Sequence, residues 1–117
     1  MDKEKADRVR LFHMLEAGEE AISFAKGKDR ESLGNDRQLT LSLIKSIEII
    51  GEAAARTSPE CRERLPKIPW RQIIGMRNRL IHAYFDINLA ILWKTVTLDL
   101  PFLVLELKAY FRESSDQ

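Results

Sequence analysis

Apolar residues recur at three- and four-residue steps in four successive stretches of this chain, and nowhere does an apolar–polar alternation last long enough to propose a strand. That periodicity restricts the fold to an all-α class. Between about Lys5 and Ala25, Leu11, Leu15, Ile22 and Ala25 form one stripe with Met14 and Ala21 beside it, while Arg8, Glu16, Glu19 and Lys26 lie opposite. Gly27 and the run Lys28-Asp29-Arg30 end this helix, and Ser32 to Asp36 supplies caps for the next. The second helix spans about Asp36 to Arg56, with Leu43, Ile44, Ile47, Ile50, Gly51 and Ala54 making a wide apolar stripe that should be the most buried of all. Gly51 in its middle costs about 1 kcal/mol of helix propensity, which a close helix–helix approach would offset.

Pro59, Pro66 and Pro69 punctuate a loop with one short turn expected around Glu60 to Arg64. A third helix starts near Pro69, carries Trp70, Ile73, Ile74, Met76, Leu80 and Ile81, and leads into His82. Asp86 and Asn88 are cap candidates for a last helix with a seven-residue stripe of Leu89, Leu92, Val96, Leu100, Leu103, Leu107 and Tyr110. Pro101 interrupts it, but the stripe stays in phase, which predicts one bent helix. The expected architecture is a single domain over residues 1–117: an antiparallel bundle of four long helices with an extra short helical turn.

At 117 residues and 44% hydrophobic, the chain can bury a real core, and its net charge of +1 provides no general field for a polyanion or an anionic membrane. Any RNA contact must be local. Cys61 stands alone, so no intramolecular disulfide or cysteine zinc site follows, and a reducing cytoplasm fits best. The start Met1-Asp2-Lys3-Glu4-Lys5 leads into a charged helix instead of a signal core, and no window is apolar enough to span a membrane.

Chemistry-bearing residues concentrate where the third helix should end, at Arg77, Asn78, Arg79, His82 and Tyr84. His13, flanked by Phe12 and Met14, reads as a structural or surface histidine. Such a set suits cleavage of an RNA phosphodiester without a metal. The imidazole of His82 can take the proton of a 2′-hydroxyl or give one to the leaving 5′-oxygen. The Arg77 guanidinium can neutralise charge growing on the phosphoryl oxygens. Asn78, one turn before His82, can orient the imidazole or bind phosphate, and Tyr84 can hydrogen-bond the scissile phosphate or stack on a base.

Five residues of helix put Arg77 and His82 roughly 140° apart, so spacing alone makes no compact site. Either the helix distorts near His82, or two copies share one site across a twofold axis; the second is the more economical and predicts a homodimer.

The pattern R-x-x-x-x-H-x-Y, met at Arg77, His82 and Tyr84 with polar Asn78 after the arginine, resembles the signature of the HEPN superfamily. Ile49-Ile50-Gly51-Glu52-Ala53, with Leu92-Trp93 and Asp99-Leu100-Pro101, is similar to the HepT-like toxins, and the resemblance runs from the first helix to about Arg112. It implies a helical, dimeric, cytoplasmic ribonuclease that needs no cofactor and acts on tRNA or mRNA, with no DNA expected. It further implies a type VII toxin–antitoxin pair with a minimal nucleotidyltransferase, which silences the toxin by AMPylation. Residue by residue, Arg77 and His82 become catalytic, Asn78 and Tyr84 supporting contacts to phosphate or RNA, and Tyr84 the modified residue; no metal ligand is implied.

Blander readings stand beside these. Arg77 and Arg79 can be a solvated face favoured by the helix dipole, His82 a C-terminal cap, and Tyr84 with Phe85 a plug for the bundle end. Glu48 and Glu52 read first as the edge of a polar face, and second as a partner for the arginine. Trp70 and Trp93 read as core or dimer anchors, and Cys61 receives no role. The alternative functions are a non-catalytic helical dimer that binds nucleotide or the nucleotidyltransferase, and a structural adaptor.

Overall fold

The computed structural model describes residues 2–83 and 88–115, with nothing said of the side chains of 81–83 and 115. All regular structure among the described residues is helical. Helix α1 runs Lys3–Ala25, opened by the Asp2 carboxylate, which accepts the Lys5 amide at 2.9 Å. It closes at Gly27, whose φ of 76° only glycine adopts without strain. Next comes a short helix, α2, over Arg30–Asn35. The sequence predicts only cap residues over this stretch. Asp29 and Ser32 form a reciprocal capping box that closes this six-residue turn, and Leu33 anchors it in the core.

Asp36 then caps α3, Arg37–Arg56, by accepting the Leu39 amide at 3.0 Å. The short turn expected at Glu60 to Arg64 is helix α4, Pro59–Arg64, with Ser58 as its cap and Pro59 in its first turn. Two ties hold it. The buried Asp7 carboxylate on α1 accepts the Ser58 amide at 2.8 Å and the Ser58 hydroxyl at 2.6 Å. The Arg62 guanidinium donates to the Ala54, Ala55 and Thr57 carbonyls at the end of α3, where Ala54 also accepts the Thr57 amide.

Helix α5 spans Trp70–Ala83, with the Trp70 indole N–H donating to the Leu65 carbonyl at 3.0 Å. The last helical rod is continuous from Leu89 to Ser115, opened by Asn88, which accepts from both Ala90 and Ile91 amides. Of the two proposed caps, Asn88 fills the role; Asp86 lies outside the described residues. The rod consists of α6 (Leu89–Lys94), a π-helical turn (Thr95–Asp99) and α7 (Leu100–Ser115). The wide turn stands just before Pro101, where the sequence predicts a bend. Pro101 has no N–H and its ring crowds the preceding turn; widening that turn relieves the clash, and Leu100 donates to the Thr95 carbonyl five residues back. The Thr95 and Thr97 hydroxyls donate to the Ile91 and Trp93 carbonyls at 2.8 Å each.

Helix α1 packs on α3 and α7, and α5 packs on α3, giving an elongated body of 46 × 29 × 23 Å. Leu11, Met14, Leu43, Ile50, Leu92, Leu103 and Leu107 are fully buried at its centre. Between α5 and the last rod lies an open apolar groove of about 530 Å³, lined by Ile73, Met76, Ile91, Leu98 and Phe102. No helix among the described residues is long and apolar enough to cross a membrane.

Candidate active site

The site begins at the close contact of α3 with α5. A Cβ built on Gly51 would stand 2.1 Å from the Arg77 Cβ, 2.7 Å from its Cγ and 3.3 Å from the Ile73 carbonyl oxygen. No other residue type fits that contact, so the glycine that costs helix propensity lets α5 lie directly against α3. Its consequence is positional: the stem of Arg77 rests on the backbone of α3, one residue from Glu52.

Arg77 is held at both tips of its guanidinium. Nη2 donates to Glu52 Oε2 at 2.8 Å, and Nη1 donates to Asn78 Oδ1 at 2.9 Å. The side chain is only 25% exposed, and its Nε is shielded from solvent with no hydrogen-bond partner among the described residues. Glu52 also accepts from Arg56 at 3.2 Å. The hydrogen bond and charge of Arg77, with a smaller contribution from Arg56, hold the half-exposed Glu52 carboxyl below the usual carboxylate range. At neutral pH the cluster is therefore a carboxylate between two guanidiniums. With only two of its five donors engaged here, Arg77 retains N–H groups that can bind an anion.

Glu52, which by sequence marks the margin of a polar face before it suggests a partner for the arginine, is that partner in the structure. Asn78 turns its carboxamide oxygen to Arg77, making it a support of the arginine. Arg79 is exposed and lines the apolar groove instead of joining the cluster. His82 falls in the last turn of α5, whose backbone is helical without a break from Arg77 through Ala83. The distortion considered as one way to unite Arg77 with His82 is absent from this backbone. The His82 side chain and Tyr84 lie outside what the structure describes.

The remaining candidates fall away from this cluster. His13 is exposed on α1. Trp70 and Trp93 are half-buried against the core. Cys61 is buried, and its thiol is pushed up by burial and by the charge of Asp7, the opposite of an activated nucleophile. Among the described residues no group of His, Cys, Asp and Glu is arranged to hold a metal ion.

Comparison with known proteins now bears on the cluster. The family model described as ribonuclease HepT-like matches residues 14–110, which include Gly51, Glu52, Arg77 and His82. This chain belongs to the HepT-like ribonuclease family. A protein of Caldanaerobacter subterraneus subsp. tengcongensis named as a candidate RNase is 40% identical over 104 residues, covering 89% of this chain and 93% of its own. A second candidate RNase, from Methanocaldococcus jannaschii, is 38% identical over 91 residues, or 78% of this chain and 84% of that one. A Thermococcus cleftensis protein named as a candidate ribonuclease HepT is 43% identical over 68 residues, 58% of this chain and 62% of its own. No solved structure matches the chain significantly. HepT-like membership implies RNA as substrate and endonuclease chemistry.

Proposed function

We propose that this HepT-like protein is a metal-independent endoribonuclease in which Arg77 and His82 carry the reaction. The observation that supports it best is the mounting of Arg77: its stem is pressed onto α3 at Gly51 and its guanidinium is oriented by Glu52 and Asn78, five residues before the histidine. A preoriented guanidinium loses little freedom when it takes a phosphate, so more of its interaction is available to the transition state. In the reaction, the 2′-oxygen attacks phosphorus as its proton passes to a base, and the P–O5′ bond breaks as the 5′-oxygen receives a proton. One strand end keeps a 2′,3′-cyclic phosphate and the other a 5′-hydroxyl. His82 supplies the proton transfer, and Arg77 holds the phosphoryl oxygens as their charge rises.

The reading includes a homodimer. With the backbone of α5 unbroken, positions 77 and 82 lie roughly 140° apart around the helix by spacing alone, and a twofold axis would supply a guanidinium and an imidazole from different subunits. Ile91, Leu98, Phe102 and Leu105 are large apolar side chains left exposed along the last helical rod, three of them lining the groove beside α5. A second copy seated there would cover them next to the site.

The biological setting we propose is the toxin of a type VII toxin–antitoxin pair, acting on tRNA or mRNA in the cytoplasm. A minimal nucleotidyltransferase would silence it when the Tyr84 oxygen displaces pyrophosphate from ATP and keeps AMP. Support for this comes from the motif tyrosine and the family. The chemical test is the product: cleavage should leave 2′,3′-cyclic phosphate ends, and RNA carrying a 2′-deoxy residue at the cleaved position should resist. Cleavage of the deoxy-substituted RNA at the same position would refute the mechanism.

A further inference from the structure

A second anion site opens beside the Arg77 cluster. Between α1 and α3 lies a cleft of about 290 Å³ whose charged lining is Arg10, His13, Lys45, Glu48, Glu52 and Arg56. Glu52 is common to both places, since it pairs with Arg77 on one side and lines the cleft on the other.

Among the described residues, two shielded side-chain polar atoms lack any hydrogen-bond partner, and both are guanidinium Nε atoms: that of Arg77 and that of Arg10. Arg10 is half-buried. A shielded N–H without a partner destabilises the folded chain, and a bound anion would satisfy it. Both carboxylates of the cleft are already engaged by other cations: Glu48 lies 3.9 Å from Lys45, and Glu52 is shared by Arg56 and Arg77. Counting Arg77 and taking His13 as neutral, this region carries a charge of +2, more than the +1 of the whole chain. From Lys45 to Arg56 the lining follows α3 for roughly 16 Å, long enough to accompany a strand past more than one phosphate.

We propose that the α1–α3 cleft holds the RNA backbone flanking the cut, with Arg10 taking a phosphate and His13, Arg56 and Lys45 bordering its path. The proposal rests on the ribonuclease reading for its ligand, but not on which residues perform the cleavage. It also accounts for how a nearly neutral protein binds a polyanion: the positive charge is concentrated along one track.

The test is fluorescence-anisotropy binding of a short single-stranded 2′-O-methyl RNA of mixed sequence, which cannot be cleaved through a 2′-hydroxyl, titrated at several salt concentrations. Each phosphate contact on a single strand contributes about 0.7 to the slope of log affinity against log salt. Arg10→Gln should lower the slope by about 0.7 and weaken binding about fivefold at 0.1 M salt. Arg10→Lys should keep most of both. Should Arg10→Gln lose the helical fold, Lys45→Gln at the exposed mouth should give a smaller shift in the same direction. Lys108→Gln on α7, away from the cleft, should change neither.

Unchanged affinity and slope in folded Arg10→Gln and Lys45→Gln would overturn the proposal. So would weakened binding of polyglutamate with RNA binding intact, which would assign the cleft to an acidic protein surface. Cleavage of unmodified RNA by the wild type is read separately: a protein that binds through Arg10 but cuts nothing would leave the cleft standing and remove the ribonuclease reading.

Discussion

Replacing Gly51 with alanine adds one methyl group at the contact on which the site depends. The new Cβ would stand 2.1 Å from the Arg77 Cβ, whereas carbon atoms in good contact sit at least about 3.5 Å apart, so α3 and α5 must separate or slide by roughly 1.4 Å. Rotamer change cannot relieve the clash, because the Arg77 Cβ is fixed to the backbone of α5. The alanine gains about 1 kcal/mol of helix propensity, and overpacking costs about 1–3 kcal/mol. Net destabilisation is therefore at most about 2 kcal/mol, and the melting temperature should fall by no more than about 8 °C. The chemical effect should be far larger. A displacement of about 1 Å in a catalytic group can cost roughly a hundredfold in rate, and this one acts on Arg77 directly. Thermal denaturation by circular dichroism and RNA cleavage at 25 °C would measure both. A Gly51→Ala protein that cleaves like the wild type would refute the argument that this contact positions the arginine.

Three further outcomes follow from the same geometry. Because the Glu52 carboxyl titrates lower in the folded protein than in the unfolded chain, its contribution to stability is fully present above the ordinary carboxylate range and is lost as pH falls through the depressed value. Glu52→Gln should therefore show a flatter decline of melting temperature with acid than the wild type; an identical pH profile would contradict the pairing. On the homodimer proposed above, Leu98→Glu places a charge on the exposed apolar strip, so it should leave the helical content intact while shifting the protein to monomer in analytical ultracentrifugation and abolishing cleavage; an active Leu98→Glu monomer would contradict that proposal. The Cys61 thiol should resist alkylation at neutral pH in the native state and react on unfolding, since burial and Asp7 disfavour its thiolate; rapid native labelling would contradict its placement.

Much of the fold is legible because three- and four-residue periodicity reports directly which face of a helix is buried. The stripe of α3 and the phase-preserving stripe across Pro101 both appear as the sequence implies. Helix α2 escapes because it has six residues and one buried anchor, Leu33, too few to show a period, while Asp29 and Ser32 read equally well as caps for the next helix. The π-helical turn escapes for a different reason: proline announces a local break, but how the turn relieves it depends on which carbonyls find donors.

At the site, local composition identifies the segment around Arg77, but its partner is 25 residues away. Glu52 could be weighed as a partner only in general terms, since an acidic residue on an apolar helix usually marks the polar margin. Gly51 was the better signal. A glycine in the middle of a well-formed apolar stripe implies that something lies against the backbone, and that something is Arg77. His13 and Arg10 gave no local sign at all, because the cleft they line exists only once α1 lies on α3.

The most direct test of the central claim is RNA cleavage by the purified protein in excess EDTA, compared with Arg77→Ala and His82→Ala variants that retain the wild-type helical content and oligomeric state. The account predicts cleavage by the wild type and at least a hundredfold loss in each variant, roughly 2.7 kcal/mol or more of transition-state stabilisation. Wild-type activity that disappears with EDTA would contradict the metal-independent mechanism, and undiminished cleavage by either variant would contradict the assignment of Arg77 and His82.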